Sequence, residues 1–267
     1  MNTLEKQMVE ILKELRDKYH ASAIKAEFEA EGTRLEEAMR LKDVISRVGL
    51  ELNLKIGGSE AIKDMIDAMS LGVSRIIAPM VETTYALKKY IQSGKKTFER
   101  NDNKDVELLI NVETITTCNN LEDMLNSPAA EELAGIVIGR VDLTGSIGLS
   151  RDNVNDKEVL ELAVEAARKA KLKGKSVVVG GGVSVDSIPF FQSFASGHLD
   201  RYETRKVIFD CPEALTNPKE AFLKANEFEL LWLKNKKNFY GSVYTEDDDR
   251  IVMLEKRYNA GMATLGK

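Results

Sequence analysis

Two carboxylates follow consecutive apolar segments of the chain, and they offer its clearest chemistry. Glu113 closes the segment LLINVE, and Asp142 comes three residues after the segment GIVIG. If the two segments are neighbouring parallel strands, their carboxyl ends meet at one edge, where oxygen ligands suit Mg²⁺ or Mn²⁺. The alternative is structural: Asp142 caps the following turn and Glu113 pairs with a basic side chain.

A second charged group lies nearer the N-terminus. Lys25, Glu27 and Glu29 alternate along one predicted strand, so their side chains share a face. Charges on a strand face are costly unless they line a site or meet partners, although a solvated edge strand also tolerates them. Lys55 ends the next predicted strand, where it could clamp a carboxylate, form a Schiff base, or lie on the surface before a turn. Glu27, Glu29 and Lys55 are therefore catalytic candidates, and Lys25 and Lys55 are substrate-binding candidates.

Two later segments add backbone and cationic groups. Gly180, Gly181 and Gly182 follow the segment SVVV. Glycines let backbone N–H groups approach an anion, and late loops of α/β barrels often bind phosphate or carboxylate, although a tight turn needs glycine as well. Arg205 or Lys206, near the start of the last predicted strand, could pair with inward carboxylates or simply begin that strand.

These residues need a frame of alternating strands and helices. Seven predicted strands are short and several are rich in Val and Ile, as in strands buried on both faces: 24–29, 52–56, 75–79, 107–113, 135–139, 176–180 and 204–209. Helical periodicity between them predicts a parallel sheet closed as a (β/α)8 barrel of the TIM type, although an eighth strand is not evident. An open doubly wound sheet is the alternative, but no strand is followed by GxGxxG.

The two ends of the chain differ from the middle. Residues 1–20 form a predicted amphipathic helix where a standard barrel begins with a strand. After the last predicted strand, only helical patterns continue. We therefore predict a single domain over residues 1–267, with the barrel core at about 22–210 and a helical extension at 211–267.

The extension reads as helices at 213–235 and 245–260, with a further strand possible at 239–244. It carries more apolar anchors than the barrel needs, which predicts a homo-oligomer, expected as a trimer or hexamer. The anchors are Phe222, Leu223, Phe228, Leu230, Leu231 and Trp232. The alternative is that the extension packs on its own barrel.

Composition limits the function classes. The 267 residues include 38 Lys and Arg against 43 Asp and Glu. This net charge of −5 gives no overall excess of positive charge of the kind that attracts nucleic acid or an anionic membrane. No apolar run approaches the roughly 18–20 residues of a membrane span. Two cysteines are too few for a disulfide framework, and two histidines argue against a histidine-rich zinc site. The expected partner is a small molecule, and the expected location is the cytoplasm.

The segments together resemble the HpcH/HpaI aldolase and citrate lyase β-subunit superfamily, which has a phosphoenolpyruvate/pyruvate-type barrel. The strongest stretch is 107–148, ELLINVETITTCNNLEDMLNSPAAEELAGIVIGRVDLTGSIG. It looks like that superfamily's strand ending in Glu, the following helix, and the G-x-x-DL-s-x-x-G turn. The stretch 52–85 is similar in character, with a basic residue at a strand end and a later strand ending in P-M-V. The similarity spans roughly residues 22–185.

The resemblance implies roles for individual residues. Glu113 and Asp142 fall on the two carboxylates that hold the family's divalent metal, expected here as Mg²⁺ or Mn²⁺. That metal chelates the carboxylate and keto oxygens of pyruvate, or of an analogous 2-oxo or acyl unit, and stabilises its enolate. The backbone of the G-x-x-DL turn faces the substrate carboxylate, which implies substrate contacts at Gly139, Arg140 and Val141.

The sequence also departs from the family pattern. Glu27 and Glu29 fall near the family's acidic D-x-E segment, but the His that follows it in the class II aldolases is replaced by Ala30 or Glu31. The usual proton carrier is therefore missing. Lys55 occupies the place of the family's basic substrate clamp, where an Arg is usual, and a Lys lacks the bidentate fork.

We therefore predict a metal-dependent carbon–carbon lyase, of aldolase or citrate-lyase type, that acts on a 2-oxo acid such as pyruvate or an acyl analogue through an enolate. Glu27, Glu29, Lys55 or a metal-bound water would move the proton. One alternative is a metal-free aldolase that forms a Schiff base at Lys25 or Lys55. The other is a barrel that binds a carboxylated ligand or serves as a subunit without chemistry, which the missing His favours.

Overall fold

A computed structural model describes residues 1–99 and 105–265 of the chain. Within these residues, eight strands form one closed barrel in chain order. The strands are β1 (Ala21–Glu27), β2 (Glu51–Lys55), β3 (Arg75–Ala78), β4 (Glu107–Val112), β5 (Gly135–Gly139), β6 (Ser176–Gly180), β7 (Arg201–Glu203) and β8 (Val207–Asp210). The first seven are parallel to their neighbours, whereas β8 is antiparallel to both β7 and β1. The predicted barrel is confirmed, with one reversed strand.

Helices surround this barrel. They are α1 (Thr3–Tyr19), α2 (Leu35–Ser46), α3 (Ile62–Leu71), α4 (Thr84–Phe98), α5 (Ile115–Asn126), α6 (Arg140–Ser146), α7 (Lys157–Leu172), α8 (Ile188–Gln192) and α9 (Pro218–Leu265). The predicted N-terminal helix is thus present as α1. Across the described part of the chain, no helix is long and apolar enough to cross a membrane.

The end of the barrel corrects the sequence prediction. The strand predicted at 204–209 begins only at Val207, because the preceding residues form a hairpin turn in which Thr204 N donates to Val207 O at 2.9 Å. The strand missing from the prediction is β7, which has three residues and pairs with β8. Three residues are too few for an alternation of apolar and polar side chains to be recognised.

The C-terminal extension is one helix, α9, so the two predicted helices are joined and the possible strand at 239–244 is helical. Its first half packs along α1. Phe222, Phe228 and Trp232 are buried there, whereas Leu223 and Leu230 are exposed. Leu231 is partly buried against the same core, so four of the six predicted oligomer anchors pack on their own barrel.

Two apolar layers separate the inside of the barrel from the outside. The outward strand faces join the helices in one large core. Inside the barrel, a small cluster of Ile77, Leu109, Val137 and Val178 forms the floor. Because side chains alternate along a strand, the residues two and four positions beyond Leu109 face the same way. The inward face of β4 therefore changes from apolar to polar above this floor.

Candidate active site

A cavity of about 380 Å³ opens at the carboxyl ends of the parallel strands, where barrel enzymes carry their active sites. Its wall includes every predicted site residue except one: Lys25, Glu27, Glu29, Lys55, Glu113, Gly139, Val141 and Asp142. Later parts of the chain also reach it, namely the β7–β8 hairpin and α9. The fold thus brings together side chains that are up to about two hundred positions apart in the sequence.

Local sequence fixes the two predicted metal-binding carboxylates at strand ends. Thr114 caps α5, since its hydroxyl accepts a hydrogen bond from Thr117 N at 3.1 Å. Glu113 therefore lies in the short connection between β4 and the capped helix. Asp142 lies in the first turn of α6, which begins directly after β5, and an acidic side chain is favourable there.

Glu113 is held from several sides and is only 1% exposed. Its Oε1 accepts from Met80 N at 3.1 Å, and its Oε2 accepts from Lys55 Nζ at 3.3 Å and from the Asn111 side-chain amide. Met80 directs its N–H here from a left-handed conformation with φ of 52°, which a non-glycine residue adopts only at a cost. A Cβ at Gly139 would lie 2.9 Å from Glu113 Cβ, so the glycine leaves room for this carboxylate.

Lys55 bridges two carboxylates. Its Nζ lies 3.1 Å from Glu29 Oε2 as well as 3.3 Å from Glu113 Oε2. Burial opposes the charge of the ammonium, but these two neighbours outweigh it and raise the pKa of Lys55 above its ordinary value. Lys55 is therefore a cation at neutral pH, which suits a clamp for an anionic substrate.

Lys25 has a matching environment deeper in the cavity. Its Nζ lies 2.6 Å from Glu203 Oε1 and 2.9 Å from Glu27 Oε1. Burial again opposes the charge, and the two carboxylates again raise the pKa of Lys25 above its ordinary value. A lysine must lose its proton to attack a carbonyl. The ion pairs of Lys25 and Lys55 therefore disfavour the Schiff-base alternative.

The β7–β8 hairpin supplies further charges at the rim. Arg205 lies 3.9 Å from Glu27 Oε2 and 3.1 Å from Glu31 Oε1, while Lys206 pairs with Glu31. Both cations therefore pair with carboxylates at or just after the first strand, which is one of the two alternatives that the sequence left open. The same hairpin brings Glu203 to Lys25, a contact that the sequence alone did not indicate.

Arg140 lies behind the cavity wall. Its guanidinium is fully buried, donates to the Gly181 carbonyl at 2.8 Å and to Asn155 Oδ1 at 2.7 Å, and packs over the Phe190 ring at 4.6 Å. Burial lowers its pKa to about 10. Its side chain therefore braces the glycine loop. The predicted substrate contact of Arg140 is therefore not seen for its side chain, whereas its backbone N lies close to Gly181, since a Cβ at Gly181 would lie 2.9 Å from Arg140 N.

The donor set fits a hard divalent cation. Glu113 and Asp142 line one cavity, and in the described chain no hydrogen bond or ion pair engages the Asp142 carboxylate. Asn111 Oδ1 is buried and has no hydrogen-bond partner among the described residues. The described residues contain no cluster of three or more His, Cys, Asp or Glu that could hold a metal. Mg²⁺ commonly takes one or two carboxylates and completes its shell with water and substrate oxygens, so two carboxylates suffice.

Besides Glu203, two charged groups in the cavity wall were missed by the sequence analysis. Arg151 follows α6 and is exposed, and Glu229 on α9 is half-buried. In the part of the chain that the structure describes, neither forms an ion pair. Burial raises the pKa of Glu229, and Glu31 adds to this, against the opposing charges of Lys206 and Arg205. No periodicity marks Glu229, because it is one of several charges on a long helix.

Comparison with known proteins agrees with this architecture. A model of the HpcH/HpaI aldolase/citrate lyase family matches residues 17–185, which include β1 to β6. No curated protein sequence gave a match.

Solved structures share the fold at low sequence identity. An HpcH/HpaI aldolase from Desulfitobacterium hafniense DCB-2 is 13% identical with a TM-score of 0.57, covering 72% of this chain and 79% of its own. An HpcH/HpaI aldolase/citrate lyase family protein from Burkholderia cenocepacia J2315 is also 13% identical, with a TM-score of 0.58 and coverage of 76% and 93%. A magnesium/glyoxylate complex of Haloferax volcanii malate synthase is 18% identical, with a TM-score of 0.50 and coverage of 63% and 56%.

Proposed function

The chain belongs to the HpcH/HpaI aldolase/citrate lyase family, and from this premise we propose that it is a divalent-metal-dependent carbon–carbon lyase. Its substrate would be a 2-oxo acid such as pyruvate, or an acyl analogue, reacting through an enolate. The family and the similar solved structures are carbon–carbon lyases and synthases by name. Metal dependence and substrate are our own proposals for this chain.

One observation carries the proposal. Glu113 and Asp142 line the same cavity at the ends of β4 and β5, and both lie within the residues that match the family. We propose that these two carboxylates hold Mg²⁺ or Mn²⁺. Such an ion supplies Lewis-acid stabilisation to a developing enolate oxygen when it is bound. The malate synthase described as a magnesium/glyoxylate complex supports magnesium as the first ion to test.

The chain's own residues would bind and orient the pyruvate half. Lys55, a cation held by Glu29 and Glu113, is placed to attract the substrate carboxylate. The main chain of Gly139, Arg140 and Val141 would contact the same carboxylate.

Lys25 would add positive charge deeper in the cavity than the substrate. Its two carboxylate partners reduce the attraction that this charge exerts on an anion. Glu27 and Glu29 would keep the two lysines protonated and oriented. Each of these two carboxylates lines the cavity and is therefore also a candidate for proton transfer.

Three further properties complete the proposal. We propose that the partner is a small molecule and that the chain works in the cytoplasm, because Cys118 and Cys211 are both free thiols. We also propose a homo-oligomer, a trimer or hexamer. The exposed Leu223 and Leu230 on α9 support it, along with further exposed apolar side chains beyond Tyr240.

Exchange of pyruvate methyl protons in D₂O, followed by NMR, tests the proposal directly. We expect exchange with Mg²⁺, none with EDTA, and a loss of about 100-fold or more in Asp142→Ala. Asp152→Ala is the matched control, because Asp152 is exposed and outside the cavity wall. Circular dichroism would verify that each variant is folded.

Other outcomes would redirect the assignment. Trapping of substrate by borohydride in the presence of EDTA would favour the Schiff-base aldolase at Lys25 or Lys55. Absence of exchange in the wild type under every condition would contradict a pyruvate lyase. It would favour an acyl substrate of citrate-lyase type or a barrel that binds ligand without chemistry.

A further inference from the structure

The cavity wall contains ten charged side chains, and most of them neutralise one another. Within the described chain, seven take part in ion pairs: Lys25, Glu27, Glu29, Lys55, Glu113, Glu203 and Arg205. Three lack such a pair there: Asp142, Arg151 and Glu229. Asp142 is assigned to the metal above. A half-buried carboxylate without a counter-ion is costly to a fold, and such groups are concentrated at functional sites.

The position of Glu229 relative to the metal carboxylates defines what it can reach. Glu113 is almost fully buried at the end of β4, so the pyruvate half of a substrate lies deep in the cavity. Glu229 comes from α9, outside the barrel, and lines the same cavity near Arg205, which is exposed and whose charge acts on it. A substrate whose pyruvate half lies at the buried carboxylates would extend its second half, beyond the bond to be broken, toward this more exposed part of the wall.

The charges around Glu229 suit a group that gains and loses a proton. Three cations favour the ionised form of Glu229: Lys206 and Arg205 on the hairpin, and Lys25 on β1. The carboxylate of Glu31 opposes ionisation. Burial disfavours the ionised carboxylate of Glu229 more strongly than the cations favour it, because Arg205 and Lys206 are themselves paired with Glu27 and Glu31. Glu27, in contrast, is held ionised by Lys25, and a carboxylate so stabilised is a weaker base.

We propose that Glu229 is the general base for the hydroxyl proton of the substrate, the role left open by the missing family His; this rests on the proposed function. In the cleavage direction, Glu229 takes the proton from the hydroxyl on C4 of a 4-hydroxy-2-oxo acid. The O–H electron pair forms the new C=O bond as the C3–C4 bond breaks. The electron pair of that bond moves to C3 and gives the enolate of pyruvate. The enolate then takes a proton at C3 from solvent, and Glu229 returns its own proton to solvent, so no net proton is gained or lost.

The test separates the two halves of the reaction. Glu229→Gln would be compared with wild type in methyl exchange of pyruvate and in aldol addition of pyruvate to glycolaldehyde and to glyoxylate, all with Mg²⁺. We expect a loss of about 100-fold in aldol addition, the usual size for a removed general base, while methyl exchange stays within about 3-fold. In the cleavage of a 4-hydroxy-2-oxo acid, where Glu229 acts as the base, the pH profile should lose its acidic limb in Glu229→Gln, and Glu229→Asp should restore part of the rate.

Glu227→Gln is the matched control, because Glu227 lies on the same helix, is exposed and pairs with Lys224 outside the cavity. It should leave both reactions unchanged. Equal loss of exchange and addition in Glu229→Gln, with an unchanged pH profile, would overturn the assignment in favour of a structural role. A wild type that exchanges methyl protons but adds pyruvate to neither aldehyde would also overturn it. A wild type without exchange would contradict the proposed function itself.

Discussion

The cavity is built by two regions of the chain that differ in origin and in role. The first region, up to β6, consists of parallel strands and helices and includes all of the residues that match the family. It supplies Glu113 and Asp142, the two carboxylates that we propose as oxygen ligands of the metal. The second region, from residue 186 onward, contains a short antiparallel hairpin and the long helix α9. It supplies the charged residues Glu203, Arg205 and Glu229.

This difference shows which part of the proposed reaction can be inferred from the family resemblance and which part cannot. In the proposed reaction, the first region would bind the pyruvate end, because it contains the two carboxylates at the positions that the family resemblance implies. The second region forms part of the cavity wall and would face the other half of the substrate. Similarity confined to residues 17–185 therefore supports metal and enolate chemistry, while the acceptor must be derived from the hairpin and α9.

The strongest test of the connection between the regions is Lys25→Met. Lys25 on β1 joins Glu27 in the first region to Glu203 in the second, and all three are buried. Without the ammonium, buried Glu203 loses its counter-ion and buried Glu27 keeps only Arg205 at 3.9 Å, so we expect a loss of about 3–5 kcal/mol in unfolding free energy. Urea unfolding at pH 7 measures it.

Two variants check this reading. Lys13→Met removes an exposed ion pair with Glu10 and should cost less than about 1 kcal/mol. Adding Glu203→Gln to Lys25→Met removes one of the uncompensated charges, so the double variant should be more stable than Lys25→Met alone. A Lys25→Met protein as stable as wild type would show that the two regions are not coupled through this residue.

The second test asks whether the first half of α9 is an integral part of the barrel. Trp232 is 2% exposed on the half of α9 that packs along α1. We expect Trp232→Ala to lower the unfolding free energy by about 3 kcal/mol, because it leaves a large cavity. Leu230→Ala, at a position that is 52% exposed on the same helix, should change it by less than about 0.5 kcal/mol. Equal effects would indicate that α9 is held by another surface.

The first region was largely predictable from the sequence, because most of its strands are long enough to show a recognisable apolar pattern. Strands such as β5 and β6 are continuous Val and Ile runs that end in a glycine, and both faces of each strand are covered. Glu113 ends such a run and Asp142 follows the next one by three residues, so their position in one cavity followed from parallel order. Arg140 shows the limit of this reasoning, because the same turn sends its side chain into the packing behind the glycine loop.

The second region was harder to predict, because its contacts depend on distant residues. The strand β7 has three residues, and nothing local indicates that its Glu203 meets Lys25, 178 positions earlier. Glu229 lies on a helix whose pattern shows only that one face is buried. That α9 passes the cavity mouth follows from the reversal of β8, which sends the chain back to the opposite end of the barrel before α9 begins.

A smaller effect is expected at Arg151, which belongs to the first region but faces the same outer wall as the second. It is the one cation of the described cavity wall without an ion pair, so it is free to attract a negatively charged acceptor. If the aldol reaction is present, Arg151→Ala should lower kcat/KM for glyoxylate by about 10-fold and leave glycolaldehyde unchanged. Arg168→Ala, outside the cavity and paired with Glu165, is the control. Equal loss with both aldehydes would contradict a role in selecting charge.

The smallest expected effect is the pH dependence of the stability that Glu27 contributes through its ion pair with Lys25. Burial opposes ionisation of Glu27, but Lys25 outweighs it and holds the pKa of Glu27 below its usual 4.5. A carboxylate with a lowered pKa in the folded state adds stability above its unfolded pKa and loses it as the pH falls through the folded value. The stability difference between wild type and Glu27→Gln should therefore be constant from pH 5 to 8 and shrink below about pH 4.5. Urea midpoints across this range measure it. The change is small because Glu203 continues to pair with Lys25, and a difference that grows on acidification would contradict the ion pair.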